Sequence, residues 1–274
     1  MEPSDSSQIG KNGGVKMSHF TVGVICEDPM DVDKLLAPYS ENLEVEPYIG
    51  RTKEQMIEDG KRFKEHCQEE SKNGIEDYMA SYLTAKTDED FYNLQKQDYC
   101  EYDKDGNELT TYNPDSKWDW YSIGGRWAGE LKIRITEENG LGEYAESDQD
   151  EFVYGDVAKI KDIDFSPNTE RYNECYQWWK DNVEAPDVEW NDLYKKEYFT
   201  ERYKDAEEYA TRNASFGTFA LVTPDGEWHE CGEMGWFGCS SETPEEARAW
   251  DDQYMSFIKN ANPEHYFVMV DCHI

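Results

Sequence analysis

The stretch HFTVGVIC at residues 19–26 decides the fold of this chain. It is apolar and rich in β-branched side chains, which pack well on a pleated surface, so it predicts a central β-strand. A second stretch of this kind, HYFVMVDC at residues 265–272, predicts a buried strand near the end of the chain. Strands at both ends, hairpins between them and helices grouped in blocks favour an α+β fold, with a central antiparallel or mixed sheet covered by helices.

Helix starts can be read from threonines that precede acidic or amide side chains. The pattern TKEQ at residues 52–55 is a capping box, in which the threonine and glutamine side chains satisfy free backbone N–H groups, and it predicts a helix to about residue 68. The pattern TDED at 87–90 places acids where the helix dipole favours them. In TPEE at 243–246, proline takes the first helical position and acids follow, which predicts a helix to about residue 259.

Turn residues and alternating polarity mark the remaining strands. The stretch GELKIRI at 129–135 alternates as a half-buried strand should, and 152–163 is expected to contain a short strand. Between 216–222 and 227–231, the tetrapeptide TPDG predicts a hairpin, because proline presets one turn dihedral and glycine accepts positive φ.

The domain organisation follows from these elements. Residues 1–16 are polar and rich in Gly and Ser, and we interpret them as a flexible leader outside the fold. Residues 17–274 are expected to form a single α+β domain with helical insertions near 52–98 and near 168–212. The second insertion is predicted to be two amphipathic helices around the break at Pro186.

The charge balance limits the possible partners. The chain has 61 acidic and 27 basic side chains and a formal net charge of −34, so direct nucleic-acid binding and attraction to anionic membranes are disfavoured. Aromatic residues make up 14% of the chain, enough to build a core despite this acidity. The seven cysteines contain no CxxC pair and no apolar run approaches the ~20 residues of a membrane span, which predicts reduced thiols in a cytoplasmic protein.

The segment KWDWYSIGGRWAG at residues 117–129 is the first candidate ligand site. Its glycines could let backbone N–H groups approach an anion, while the arginine pairs with that anion and an indole stacks on a base or sugar. The alternative is that the tryptophans pack a corner of the core and that Gly-Gly only makes a turn. The candidate ligand-binding residues are Trp118, Trp120, Tyr121, Gly124, Gly125, Arg126 and Trp127.

The segment WHECGEMGWFGC at residues 228–239, with the terminal Cys272-His273, is the second candidate. Four such side chains could bind zinc if they converged, but their spacing fits no standard zinc module and ordinary buried thiols are favoured. Five carboxylates could hold magnesium on a sheet edge, namely Asp119, Asp156, Asp162, Asp164 and Asp271, yet coincidental groupings are expected among 61 acids. No nucleophile motif is present, so we assign no catalytic residue, no metal ligand and no cofactor.

Four short segments of the sequence carry a resemblance to a known group of proteins. They are MSHFTV at 17–22, KWDWYSIGGRW at 117–127, GEMGWFGC at 232–239 and VDCHI at 270–274. They resemble a family of uncharacterised proteins encoded by bacteriophages and prophages. The resemblance implies an accessory role during infection, and such proteins frequently bind and disable host machinery.

Together these features favour a binding protein over an enzyme. The leading hypothesis is a phage counter-defence protein that inhibits a host nuclease or another defence complex through an acidic surface that acts as a DNA mimic, and a homo-oligomer is one expected form. The alternative for the acidity is a solvated surface that only confers solubility. A variant of this hypothesis is sequestration of a nucleotide signal by Arg126 and the tryptophans around it. The alternative class is a metal-dependent enzyme acting on nucleotides, with its site near residues 228–239 and Asp271-Cys272-His273.

Overall fold

The computed structural model describes residues 19–71, 77–147, 149–186, 195–232 and 241–274. Their elements confirm the α+β class. Contacts divide the chain into two compact units: the small unit, Glu41–Ser116, and the main unit, which contains the described residues on either side of it. The strands are β1 (His19–Cys26), β2 (Tyr48–Arg51), β3 (Glu101–Tyr102), β4 (Glu108–Thr110), β5 (Trp120–Ile123), β6 (Leu131–Arg134), β7 (Phe152–Gly155), β8 (Val157–Lys159), β9 (Ala220–Val222), β10 (Trp228–Glu230) and β11 (Tyr266–His273). The helices are α1 (Val32–Leu36), α2 (Lys53–Glu70), α3 (Asp77–Thr84), α4 (Asp88–Gln95), α5 (Thr169–Asn182), α6 (Lys196–Arg202), α7 (Ala206–Ala214) and α8 (Pro244–Asn260).

The two predicted terminal strands form the centre of a six-stranded mixed sheet in the main unit. Strand β1 pairs antiparallel with β11 along its whole length, from His19 opposite His273 to Cys26 opposite Tyr266. The strand order is β10-β9-β1-β11-β5, and β8 also pairs with β11. Strand β9 runs parallel to β1, while the other pairs are antiparallel.

Each face of this sheet carries its own apolar core. On one face, Phe20, Val22 and Val24 pack with residues of β11 and with Val32 and Leu36 around α1. On the other face, the core includes Ile25, Phe267 and Met269 together with Trp250, Tyr254 and Ile258 from α8. Side chains alternate between faces along a strand, so the register of β1 against β11 sets the composition of both cores at once.

The local signals in the sequence are confirmed. Thr52, Thr87 and Thr243 each cap a helix through a capping box, at the starts of α2, α4 and α8. In the predicted hairpin, Thr223 N–H donates to Glu227 O at 3.1 Å and Gly226 has a φ of 86°. These signals are reliable because each depends on residues only a few positions apart.

The predicted strand within 152–163 is divided at Asp156. Strand β7 pairs with β6, whereas β8 pairs with β11 in the main sheet. Asp156 stabilises the break between β7 and β8. Its carboxylate accepts a hydrogen bond from the Gly129 N–H at 2.6 Å, and its backbone oxygen accepts one from the Met269 N–H at 2.8 Å.

The insertion predicted near 168–212 has a core of its own. Helix α5 ends at Asn182, ahead of Pro186, and α6 and α7 follow residues 187–194, which lie outside the described part. Cys175, Trp179 and Tyr209 are buried together between α5 and α7. The aromatic residues described in this insertion therefore build a local core.

The small unit contains most of the insertion predicted near 52–98 and extends beyond it. Helices α2, α3 and α4 pack with one another, and β2, β4 and β3 form a separate three-stranded sheet. A Cβ at Gly60 would lie 3.0 Å from Cβ of Phe91, so α2 and α4 approach closely there. The Arg51 guanidinium pairs with Glu108 at 2.6 Å between β2 and β4.

Asp164 ties the segment after β8 to β6. Its carboxylate accepts a hydrogen bond from Lys132 Nζ at 2.8 Å and one from Ser166 Oγ at 2.6 Å. The hydrogen bond from Lys132, and to a smaller extent the one from Ser166, lowers the pKa of Asp164 from 3.8 to about 2. Since the folded-state pKa lies below the unfolded value, this stabilisation is present above pH ~4 and is lost as the pH falls through about 2.

We therefore expect Asp164→Asn to lower the urea midpoint at pH 7, and the difference from wild type to shrink as the pH falls from 4 towards 2. Chemical unfolding monitored by tryptophan fluorescence across this range measures the difference. Glu143→Gln, at an exposed carboxylate, is the matched control and should follow wild type. A difference that stays constant with pH would contradict this role.

Candidate functional site

The face of the central sheet that carries Phe267 and Met269 becomes polar at its end. Residues alternate along β11, so Asp271 and His273 follow Met269 on the same face. Strand β1 places His19 directly opposite His273, and β5 places Trp120 opposite it on the other side. Three adjacent strands thus bring polar and aromatic side chains together at one end of the sheet.

Two histidine–carboxylate pairs form the centre of this site. His19 Nδ1 lies 2.7 Å from Asp271 Oδ1, and His273 Nδ1 lies 2.6 Å from Asp119 Oδ1. The imidazole centroids are 5.0 Å apart with the rings nearly perpendicular. Both histidine side chains are 6% exposed. We call His19, Asp119, Trp120, Asp271 and His273 the histidine cluster.

The carboxylates fix how each imidazole is presented. A carboxylate at Nδ1 favours the tautomer that carries its proton there, which leaves Nε2 as the free acceptor of a neutral ring. His273 Nε2 is buried and has no hydrogen-bond partner in the described part of the chain. An unpartnered buried nitrogen costs free energy, and most buried polar atoms of proteins are paired. Two other buried side-chain atoms of the described residues also lack a partner, Glu242 Oε2 and His265 Nδ1, but only His273 belongs to this cluster.

Trp120 covers the two histidines. Its indole stacks on the His273 ring with centroids 5.1 Å apart and an angle of 17° between the planes, and it meets the His19 ring edge to face at 5.2 Å. The residue nevertheless remains 41% exposed. A large aromatic surface is therefore held in place on one side and accessible on the other.

The predicted Gly124-Gly125 turn packs closely against two carboxylates of the chain itself, Asp156 and Asp271. Gly124 and Gly125 both have positive φ, at 69° and 55°. A Cβ would lie 2.5 Å from the Asp156 carboxylate at Gly124 and 2.4 Å from Asp271 Cβ at Gly125. The N–H of Arg126 donates to Asp271 Oδ2 at 3.0 Å. The turn thus positions Asp271, which in turn positions His19.

The other residues predicted for this site divide into packing and exposed groups. Trp118 donates from its indole N–H to Leu36 O at 3.2 Å and packs against the core on the Val22 face of the central sheet. Trp127 packs against the core on the other face, which contains Phe267. Tyr121 hydrogen-bonds to Asp33, and burial together with this bond raises the pKa of Tyr121. The Arg126 side chain is exposed and pairs with no acid in the described residues.

The structure adds residues that the sequence prediction did not place in this site. His19 was assigned to no site, Asp119 and Asp271 were considered as magnesium ligands, and Asp271 and His273 were also considered with the 228–239 segment; none of the four was among the predicted ligand-binding residues. Two signals could have found them: Asp271 and His273 share a strand face at i, i+2, and antiparallel pairing of the terminal strands places His19 beside them.

The zinc grouping considered around residues 228–239 is not assembled in the described residues. Cys239 lies outside the described part, while His229 packs on the Phe257 ring at 4.4 Å. Burial, and to a smaller extent the nearby Glu242 charge, raises the pKa of Cys231 to about 11. A raised pKa of this kind is typical of buried thiols that are chemically inert. No three His, Cys, Asp or Glu side chains in the described residues are arranged to hold a metal ion.

No protein-family model, curated protein or solved structure matches the chain. The resemblance to phage and prophage proteins therefore stays a prediction from the sequence. Within the described ranges, no helix combines the length and the apolar character needed to cross a membrane.

The glycine turn offers a stability test of the site. We expect Gly125→Ala to destabilise the protein more than Gly140→Ala, because Gly140 shares a positive φ of 67° but an added Cβ there meets nothing within 4 Å. The Gly140→Ala control measures the cost of backbone strain at positive φ alone, about 1 to 2 kcal/mol in the free energy of unfolding. Urea unfolding of both variants gives the difference, and equal losses would contradict close packing of Gly125 on Asp271.

Proposed function

We propose that this chain is a binding protein whose histidine cluster takes a small anionic ligand with a planar aromatic group, of the nucleotide class. The observation that carries the proposal is the buried, unpartnered His273 Nε2 beneath a partly exposed tryptophan. A ligand group that hydrogen-bonds to this nitrogen would remove the cost of leaving it unpaired.

Trp120 supplies the aromatic half of the recognition. Its indole is already ordered by stacking on His273, so little conformational entropy is lost when a base stacks on its exposed surface. Stacking of a base on an aromatic side chain contributes about 1 to 3 kcal/mol. Every base has a π-face, so this contact selects a class of ligand and leaves the choice of base open.

The polar half of the recognition comes from the imidazoles and from Arg126. A neutral Nε2 accepts a hydrogen bond from a ligand hydroxyl or amine, and a protonated one donates to a phosphate oxygen. Arg126 lies next to the site through its backbone bond to Asp271, and its guanidinium suits bidentate pairing with phosphate. The formal net charge of −34 opposes long polyanions, which favours a ligand with few phosphates.

In this proposal, the protein sequesters a nucleotide signal in the cytoplasm of a phage-infected cell. The setting is supported by the sequence resemblance alone. Homo-oligomerisation also stays a prediction.

We expect Trp120→Ala to weaken nucleotide binding about 5- to 150-fold, the loss of one stacking contact. Calorimetric titration with AMP, GMP and a cyclic dinucleotide measures the affinity, and mass spectrometry of the denatured protein detects any nucleotide that co-purifies. Tyr144→Ala removes another exposed aromatic side chain, 67% exposed, and should bind as wild type does. Absence of binding by the wild type, or equal affinity of the Trp120 variant, would refute the proposal.

A second candidate is inhibition of a host nuclease through the acidic surface, supported by the excess of 61 acidic over 27 basic residues. Reversing exposed acids spread over the chain should then abolish inhibition, because each change to lysine replaces a negative charge with a positive one and shifts the net charge by two units. Suitable positions are Glu54, Glu143, Glu170, Glu207 and Asp252.

The measurement is DNA cleavage by a nuclease captured from host lysate, with and without added protein. Trp120→Ala is the control and should inhibit as wild type does. Full inhibition by the charge-reversed variant would exclude the DNA-mimic mechanism.

A further inference from the structure

A cavity of about 410 Å³ lies beside strand β8 in the main unit. Three segments line it: the loop after β6, strand β8 with the turn that follows it, and the start of β11. Leu141, Ala158 and Tyr266 give it apolar walls, and none of its lining residues belongs to the histidine cluster. A volume of this size, with apolar walls and a few polar groups, is typical of a small-molecule site.

Asp162 is the buried charge of this cavity. The residue lines the cavity and is only 7% exposed. No hydrogen bond or ion pair joins its carboxylate to another described residue. Its oxygens are also not among the fully buried atoms of the described residues that lack a partner, so they stay accessible at the cavity wall. A buried carboxylate without a donor is costly, and a ligand ammonium would remove that cost through a charge-assisted hydrogen bond.

Two lysines bring positive charge to the same cavity. Lys159 and Lys161 both line it, and their Nζ atoms donate to Glu264 at 2.9 and 2.8 Å. Lys161 Nζ also lies 3.5 Å from Glu138. The hydrogen bond to Glu264 raises the pKa of both lysines, so both stay charged at neutral pH. Because an ammonium has three N–H donors, each lysine keeps donors for a ligand carboxylate.

Strand β8 adds backbone groups to the cavity. Within the described part of the chain it pairs only with β11, which leaves its other edge free. Ile160 donates its N–H to His265 O at 2.9 Å, on the β11 side. Backbone groups of successive residues in an antiparallel strand point to opposite sides, so Lys159 and Val157 direct their N–H and C=O groups to the free edge. Val157, Ala158 and Lys159 all line the cavity, as expected for a cavity along a strand edge.

We infer that this cavity binds a free α-amino acid with an apolar side chain. Such a ligand carries an ammonium for Asp162, a carboxylate for the two lysines and a side chain for the apolar walls. Both signs of charge in one cavity favour a zwitterion over a ligand with a single charge. The free backbone groups of β8 can pair with the main-chain groups of the ligand, as in the addition of a strand to a sheet edge. This site shares no residue with the histidine cluster, so the inference goes beyond the proposed nucleotide function.

The test is calorimetric titration of the full chain with L-leucine and with L-phenylalanine. Isocaproate and hydrocinnamate lack the ammonium of these two probes, whereas isoamylamine and phenethylamine lack the carboxylate. Each analogue should bind about 10- to 150-fold more weakly than its parent amino acid, the loss of one charge-assisted contact. Absence of binding by both amino acids would overturn the inference, and so would an analogue that binds as tightly as its parent.

Variants assign the two charged contacts to residues. Asp162→Asn should bind the amino acid about 10- to 150-fold more weakly and lose the preference for it over the analogue without an ammonium. Lys161→Gln should narrow the preference over the analogue without a carboxylate. Asp252→Asn and Lys34→Gln change exposed residues outside the cavity and should bind as wild type does.

Thermal unfolding shows whether each variant keeps its fold. A folded Asp162→Asn variant with wild-type affinity and preference would overturn the inference. Where this variant does not fold, the analogue series with the wild-type chain decides.

The outcomes separate this site from the proposed function. Trp120→Ala should bind the amino acid as wild type does, and a nucleotide should not compete with it. Binding of an amino acid without any nucleotide would support this inference and refute the nucleotide proposal. Binding of a nucleotide without any amino acid would do the reverse.

Discussion

The pairing of the first described strand with the last one is the constraint on which the main unit depends. Strands β1 and β11 match over eight residues each, and they join segments 252 residues apart, as measured from His19 to Asp271. Closing so long a loop costs conformational entropy, which must be recovered by burying both faces of the central strands. Each face carries an apolar core. A one-residue shift in the register of a strand would therefore move its side chains from one core to the opposite face of the sheet.

The same register builds the candidate site. It places His19 across from His273, and β5 continues the row with Trp120. At the other end of this face, Phe267 is fully buried beneath aromatic neighbours, so the polar end is attached to a rigid apolar base. A site on paired strands is held more precisely than one on loops, so the two imidazoles have a fixed relative orientation.

The buried carboxylate of Asp271 and the half-buried one of Asp156 organise the irregular parts of the main unit. Asp271 accepts a backbone N–H from the Gly-Gly turn and holds His19, while Asp156 accepts the N–H of Gly129 and separates β7 from β8. Each would be costly to bury alone, but charge-assisted hydrogen bonds offset that cost. In a chain of 61 acidic residues, these few have a structural role that the total charge does not reveal. His273 Nε2 is the contrasting case, because nothing in the described residues satisfies it.

Elements specified by neighbouring residues could be predicted from the sequence alone. The strand at 19–26, the capping threonines and the TPDG hairpin depend on periodicity, side-chain capping and turn dihedrals, which act over a few positions. The segment 117–127 was also recognisable as unusual, but its composition could not separate the packed Trp118 and Trp127 from the exposed Trp120. The role of Gly125 depended equally on its distant partner Asp271. Only the tertiary structure decided these points and the meeting of His19 with His273, because burial and strand register arise from contacts between residues far apart in the chain.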